Sequence, residues 1–166
     1  MGVCTTFGTR LLVAAVALLC LLQSAGAQRI DPEAAAETAV AAMADMEALV
    51  AACEEDALQF RAECSEILQR LADRLPPDKA VVKIERTGEK LFNKFGKLRA
   101  KMEKSLDKIA VKAANRIAKF GGDPALIENL NDQRIALKAD TNLMLDEVWG
   151  EIAVIQQEII DGLSGQ

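Results

Sequence analysis

The fold of this chain is decided by the stretch LFNKFGKLRAKMEKSL, residues 91–106, where apolar and basic side chains alternate with a helical period. The apolar side chains follow one another in steps of four, three, four and four residues: Leu91, Phe95, Leu98, Met102 and Leu106. This spacing places them on one face of an α-helix, with the lysines on the remaining surface. Such a helix gains most of its stability when another element covers its apolar face.

Two further stretches carry apolar stripes of the same kind. One runs from Met43 to Leu71 with a heptad spacing, and the other runs from Leu126 to Ile159. Two clusters of Pro, Gly and Asp, at 76–78 and 121–124, separate the three stripes and are typical of chain breaks between helices. We therefore predict an all-α fold, an elongated up-down-up three-helix bundle with helices at about 32–75, 79–120 and 124–163.

Charge differs sharply between the three segments. The segment 28–78 has four basic and twelve acidic residues, 79–120 has thirteen basic and four acidic, and 121–166 has two basic and nine acidic. The middle helix is therefore strongly cationic in a chain whose formal net charge is −5. One interpretation is that its cations pair with acidic side chains of the two neighbouring helices.

The first 27 residues resemble a secretory signal peptide in every part. Arg10 precedes an apolar run at 11–22, and Ala25-Gly26-Ala27 supplies small residues for cleavage. We therefore predict a secreted, extracellular protein, with residues 1–27 removed and 28–166 forming one helical domain. A competing signal is the start Met1-Gly2-Val3-Cys4, which fits the myristoylation pattern.

Two cysteines, Cys53 and Cys64, remain after signal removal, and a secreted context favours their oxidation. They are eleven residues apart, about 16 Å along a continuous helix, whereas a disulfide needs Cα atoms within about 7 Å. Three alternatives stay open. The first helix breaks near 54–56, which gives four helices and an intrachain bond; two chains form a disulfide-linked homodimer; or the thiols stay free and buried.

The composition argues against catalysis. The chain has no histidine and no tyrosine, so histidine acid–base chemistry and the commonest zinc ligand sets are excluded. The acidic run 54–56 lacks the spacing of a calcium loop. We expect no enzyme activity, no cofactor and no metal. An acidic, secreted chain without an aromatic platform also argues against nucleic acid as a partner.

The cationic middle helix is the main candidate for function, because basic amphipathic helices bind anionic membrane surfaces. We predict binding of an apolar ligand or an anionic lipid surface through basic and apolar side chains of this helix: Lys90, Leu91, Phe92, Lys94, Phe95, Lys97, Leu98, Lys101, Lys104 and Phe120. Two alternatives stay open: a structural or protein-interaction module, and host defence through the basic helix 88–120. Trp149 is expected in the core or at its edge.

Overall fold

The computed structural model describes residues 30–165 and contains three helices: α1 (Pro32–Arg74), α2 (Pro77–Lys119) and α3 (Pro124–Ser164). Each helix packs against both others, so the predicted all-α three-helix bundle is confirmed. α2 is antiparallel to both α1 and α3. In this arrangement Phe95 of α2 contacts Phe60 of α1, and Arg99 of α2 pairs with Asp146 of α3. The predicted signal peptide, residues 1–27, lies outside the described residues.

The first helix is continuous, so the four-helix alternative with a break near 54–56 is wrong. α1 has 43 residues and is therefore about 64 Å long. Its middle contains no Gly or Pro, and Cys53, Ala57, Phe60 and Cys64 all point into the core. Because this apolar face stays in contact with the other helices throughout, nothing favours folding the segment back on itself.

Proline and aspartate fix the helix starts. The side chains of Asp31 and Asp123 accept hydrogen bonds from the backbone N–H groups of Ala34 (3.1 Å) and Ala125 (2.9 Å). α2 begins at Pro77, two residues before the predicted start, because the fixed φ of proline suits the first helical position. Each of the three helices thus has a proline at its N-terminus.

The turn between α2 and α3 packs against the start of α1. Gly121 has a φ of 64°, a conformation that side-chain-bearing residues rarely adopt. The carbonyl oxygen of Phe120 accepts a hydrogen bond from the backbone N–H of Asp31 at 2.9 Å. A Cβ on Gly122 would lie 2.6 Å from the Cβ of Ala35, so this turn needs glycine for close contact as well as for conformation.

The core changes in character along the bundle. Near this turn it is built mainly from alanines, including Ala35, Ala39 and Ala113. Further along, larger side chains such as Phe60 and Phe95 fill it. A helix with small side chains at its contacts packs closely but buries little apolar area, so the alanine-rich end contributes less hydrophobic stabilisation than the aromatic middle of the bundle.

Candidate functional site

Most apolar side chains of the predicted lipid-binding set lie inside the closed bundle. Leu91 and Phe95 are buried, and Leu98 and Phe120 are half-buried. Phe92 differs, because 56% of its surface is exposed. The apolar part of the set is therefore mostly covered by α1 and α3 while the bundle is closed.

The lysines of the set, in contrast, lie at the surface. They belong to one strip of exposed side chains in steps of three or four residues, here called the basic flank: Lys90, Lys94, Lys97, Lys101, Lys104, Lys108 and Lys112. The strip borders α1, since the Nζ atom of Lys94 lies 5.2 Å from the ring centroid of Phe60. From Lys90 to Lys112 it extends about 33 Å along the helix.

Within residues 30–165, no ion pair joins the basic flank to an acidic side chain. In this part of the chain, Arg99 is the only basic residue of α2 that forms an ion pair, and its partner is Asp146 of α3. Lys101 and Lys112 share shallow clefts with Asp56 and Asp45 of α1, yet neither forms a salt bridge there. The cations of α2 therefore form no ion pair with α1 in this part of the chain, and Arg99 alone pairs with α3.

The opposite side of α2 carries acidic side chains and faces α3. We call it the acidic flank, and it consists of Glu85, Glu89, Glu103 and Asp107. The carboxylate of Asp107 accepts hydrogen bonds from Lys138 (2.7 Å) and from Arg134, and Glu103 accepts one from Asn142 (2.9 Å).

These contacts shift the titration of one carboxyl. Hydrogen bonds from Lys138 and then Arg134 lower the pKa of Asp107 below its usual range. The sorting of charge around α2 was missed in reading the sequence, although its signal is there. The four acids follow in steps of four, fourteen and four residues, which place them on one side of a helix.

Two clefts follow the seam between α1 and α2, with volumes of about 170 and 60 Å³. Both are smaller than the roughly 300–1,000 Å³ typical of small-molecule pockets. A wider groove of about 510 Å³ lies on the other side of α2, between it and α3. Its lining includes Phe92, Trp149 and Glu89.

A row of four aromatic rings crosses the bundle at this level. The centroids of Phe60 and Phe95 are 5.5 Å apart, those of Phe95 and Trp149 5.6 Å, and those of Trp149 and Phe92 5.1 Å. These separations are typical of favourable aromatic pairs. Trp149 is half-buried, a position at the edge of the core. The row begins under the basic flank and ends in the groove beside the acidic flank.

Cys53 and Cys64, the two cysteines of α1, are free and buried. Burial raises the pKa of the Cys64 thiol to about 11, and burial followed by the nearby Asp56 carboxylate raises the pKa of Cys53. Because α1 is unbroken, the two residues lie about 16 Å apart along it, and the intrachain bond that required a break is absent. A disulfide between two chains stays a prediction, and it requires both sulfur atoms to leave the core.

None of the three helices is both long and apolar enough to cross a membrane. Between residues 30 and 165, no three acidic, cysteine or histidine side chains are grouped closely enough to hold a metal ion. Comparisons with protein-family models, with curated proteins and with solved structures found no match to this chain.

Proposed function

We propose that this chain is a secreted, non-enzymatic protein that binds anionic lipid surfaces through the basic flank of α2. The observation that carries the proposal is the strip of seven exposed lysines, from Lys90 to Lys112, without ion-pair partners in the described part of the chain. Cations that are already paired have little attraction left for a membrane, whereas these are available.

The attraction to an anionic membrane acts on the closed bundle. Each lysine near such a surface contributes about 1 kcal/mol, and the effect decays within a Debye length of about 8 Å at physiological salt. Lysines placed along one straight helix reach a flat surface together. The bundle then lies with α2 parallel to the membrane, and salt weakens the interaction.

Insertion of apolar side chains is a second step that requires the bundle to open. Leu91 and Phe95 are covered by the other helices, and exposing them costs about 25 cal/mol for each Å² of apolar surface. Burial of the same surface at the membrane interface offsets this cost.

Co-sedimentation with vesicles tests the proposal. We expect binding to vesicles that contain phosphatidylglycerol, loss of binding at high salt, and little binding to pure phosphatidylcholine. The variant with Lys94, Lys97, Lys101 and Lys104 each replaced by Gln keeps the apolar stripe, and we expect it to bind at least about tenfold more weakly. Circular dichroism checks that it remains helical.

A matched pair of variants separates position from total charge. Lys97→Gln with Lys101→Gln removes two charges from the basic flank, and Arg70→Gln with Arg74→Gln removes two exposed charges from the end of α1. We expect weaker vesicle binding only for the first pair. If wild type does not sediment with anionic vesicles at low salt, the lipid proposal fails and a protein-interaction module is the better account.

Secretion is tested separately by the mass of the exported protein. Cleavage after Ala27 leaves Gln28 as the first residue. An intact mass that retains Gly2 with a myristoyl group would contradict this part of the proposal.

A further inference from the structure

The groove between α2 and α3 has an aromatic wall that faces solvent. Phe92 is more than half exposed, Trp149 is half-buried, and their ring centroids are 5.1 Å apart at an interplanar angle of 60°. The face of an aromatic ring carries partial negative charge and attracts cations, most strongly at tryptophan.

The groove is lined by negative charge, which attracts cations as the aromatic wall does. Glu85 and Glu89 line it one helical turn apart, and its lining contains no lysine or arginine. Within the described part of the chain, neither carboxylate takes part in an ion pair. Carboxylates and aromatic faces together form the type of surface that recognises organic ammonium ions.

The other end of the same aromatic row already holds a cation. Lys94 places its ammonium group 5.2 Å from the ring centroid of Phe60, and Phe60 connects through Phe95 and Trp149 to Phe92. The groove end has two carboxylates in addition to its rings, and within residues 30–165 no lysine or arginine lines it.

A buried glycine lines the groove beside Gln156 of α3. A Cβ on Gly88 would lie 2.3 Å from the Oε1 atom of Gln156, so a larger residue here would require the flexible end of this side chain to shift. Glycine within a helix costs about 1 kcal/mol relative to alanine. The resulting groove is open to solvent and has a volume of about 510 Å³.

We propose that this groove binds a small organic ammonium ion from solution, with a methylated amine such as choline as its simplest form. The charged nitrogen lies against the carboxylates of Glu85 and Glu89 and over the rings of Phe92 and Trp149. The apolar carbons of the ligand contact the ring surfaces. This site is independent of the basic flank, which attracts the opposite charge, so either proposal can fail without the other.

Trp149 makes the test direct, because it is the only tryptophan in a chain without tyrosine. Titration with choline chloride, at constant ionic strength set by sodium chloride, should give a saturable change in its fluorescence. The neutral molecule 3,3-dimethylbutan-1-ol has the same shape without the charge, and we expect it to bind at least about fivefold more weakly. Equal responses to choline and to the neutral alcohol would overturn the proposal.

Two double variants compare carboxylates of equal number in different places. Glu85→Gln with Glu89→Gln should weaken choline binding at least about fivefold, while Glu54→Gln with Glu55→Gln, on the exposed surface of α1, should leave it unchanged. Phe92→Leu keeps an apolar side chain but removes the ring, and we expect about threefold weaker binding. Unchanged binding in the Glu85 and Glu89 double variant would overturn the proposal.

A lipid headgroup carries the same methylated ammonium, so phosphatidylcholine vesicles form the remaining arm of the experiment. A fluorescence response to free choline supports a ligand taken from solution. A response to the vesicles with none to free choline would overturn it.

Discussion

The two flanks of α2 border the same apolar stripe but differ in what their charges do. On the acidic flank, Asp107 and Glu103 contact side chains of α3. On the basic flank, lysines such as Lys101 lie beside α1 without forming an ion pair. The total charges of the helices predict attraction on both sides of α2. The difference shows that the positions of individual charges, not the total charge of each helix, decide between which helices ion pairs form.

We expect the apolar stripe of α2 to hold this helix in the bundle, and the charges on its two flanks to contribute little to stability. Leu106, which is fully buried, tests this most severely. Leu106→Ala removes buried apolar atoms and leaves a cavity, so we expect unfolding in urea to show a loss of about 2–4 kcal/mol. Val111→Ala, at an exposed position of the same helix, is the control and should change stability by less than about 0.5 kcal/mol. Equal losses in the two variants would show that the stripe is not what holds the helix.

Neighbouring residues on the two flanks allow a direct test of the difference between them. Asp107→Asn breaks contacts with Arg134 and Lys138, and we expect a loss of about 1 kcal/mol or less, because the pair is partly exposed to water. Lys108→Gln removes a charge from the basic flank, where no partner is lost, so the urea midpoint at pH 7 should stay within error. A larger loss for Lys108→Gln would reverse the comparison.

The pH dependence of the Asp107 contribution sharpens the same test. Since the pKa of this carboxyl is lowered in the folded protein, its contribution is complete above the unfolded value of about 4. It is lost as the pH falls from there through the lower folded value. Melting curves of wild type and Asp107→Asn should therefore converge below about pH 4. A gap of constant size down to acid pH would contradict the ion-pair explanation.

The smallest expected effect is a gain in stability at Gly96. A Cβ at this position meets no atom within 4 Å, so Gly96→Ala should stabilise α2 by about 0.5–1 kcal/mol through its helix propensity. Gly88→Ala introduces the same change where Gln156 must move aside, and its gain should be smaller. Thermal melts of the two variants decide this, and a destabilised Gly96→Ala protein would contradict the open surface at this position.

The fold was predictable because its signals are local. Stripes such as Leu91, Phe95 and Met102 give the helices, and Pro77, Gly121 and Pro124 give the breaks between them. A break in α1 was one of three alternatives for the two cysteines, and it does not exist. Expected oxidation conflicted with helix geometry, and a covered apolar face on both sides of 54–56 decided in favour of the continuous helix.

The candidate sites were predictable only in part. The lysines of the basic flank follow from helical spacing, whereas their lack of partners depends on how α1 is rotated against α2. The groove depends on residues more than about 50 positions apart, since Glu89 and Phe92 come from α2 and Trp149 and Gln156 from α3. No pattern within one helix reveals that such residues line one space.

The free thiols of α1 have a consequence for the order of events after synthesis. In an oxidising compartment, an unfolded chain offers Cys53 and Cys64 to any oxidant, whereas the folded bundle covers both sulfur atoms. Helical bundles generally fold within microseconds to milliseconds, and disulfides form over seconds to hours. If this bundle folds at the usual rate, folding precedes oxidation, and the raised pKa of each thiol then keeps it protonated and unreactive. On this account, a disulfide between two chains forms from molecules that have not yet folded, because only there are both sulfur atoms exposed.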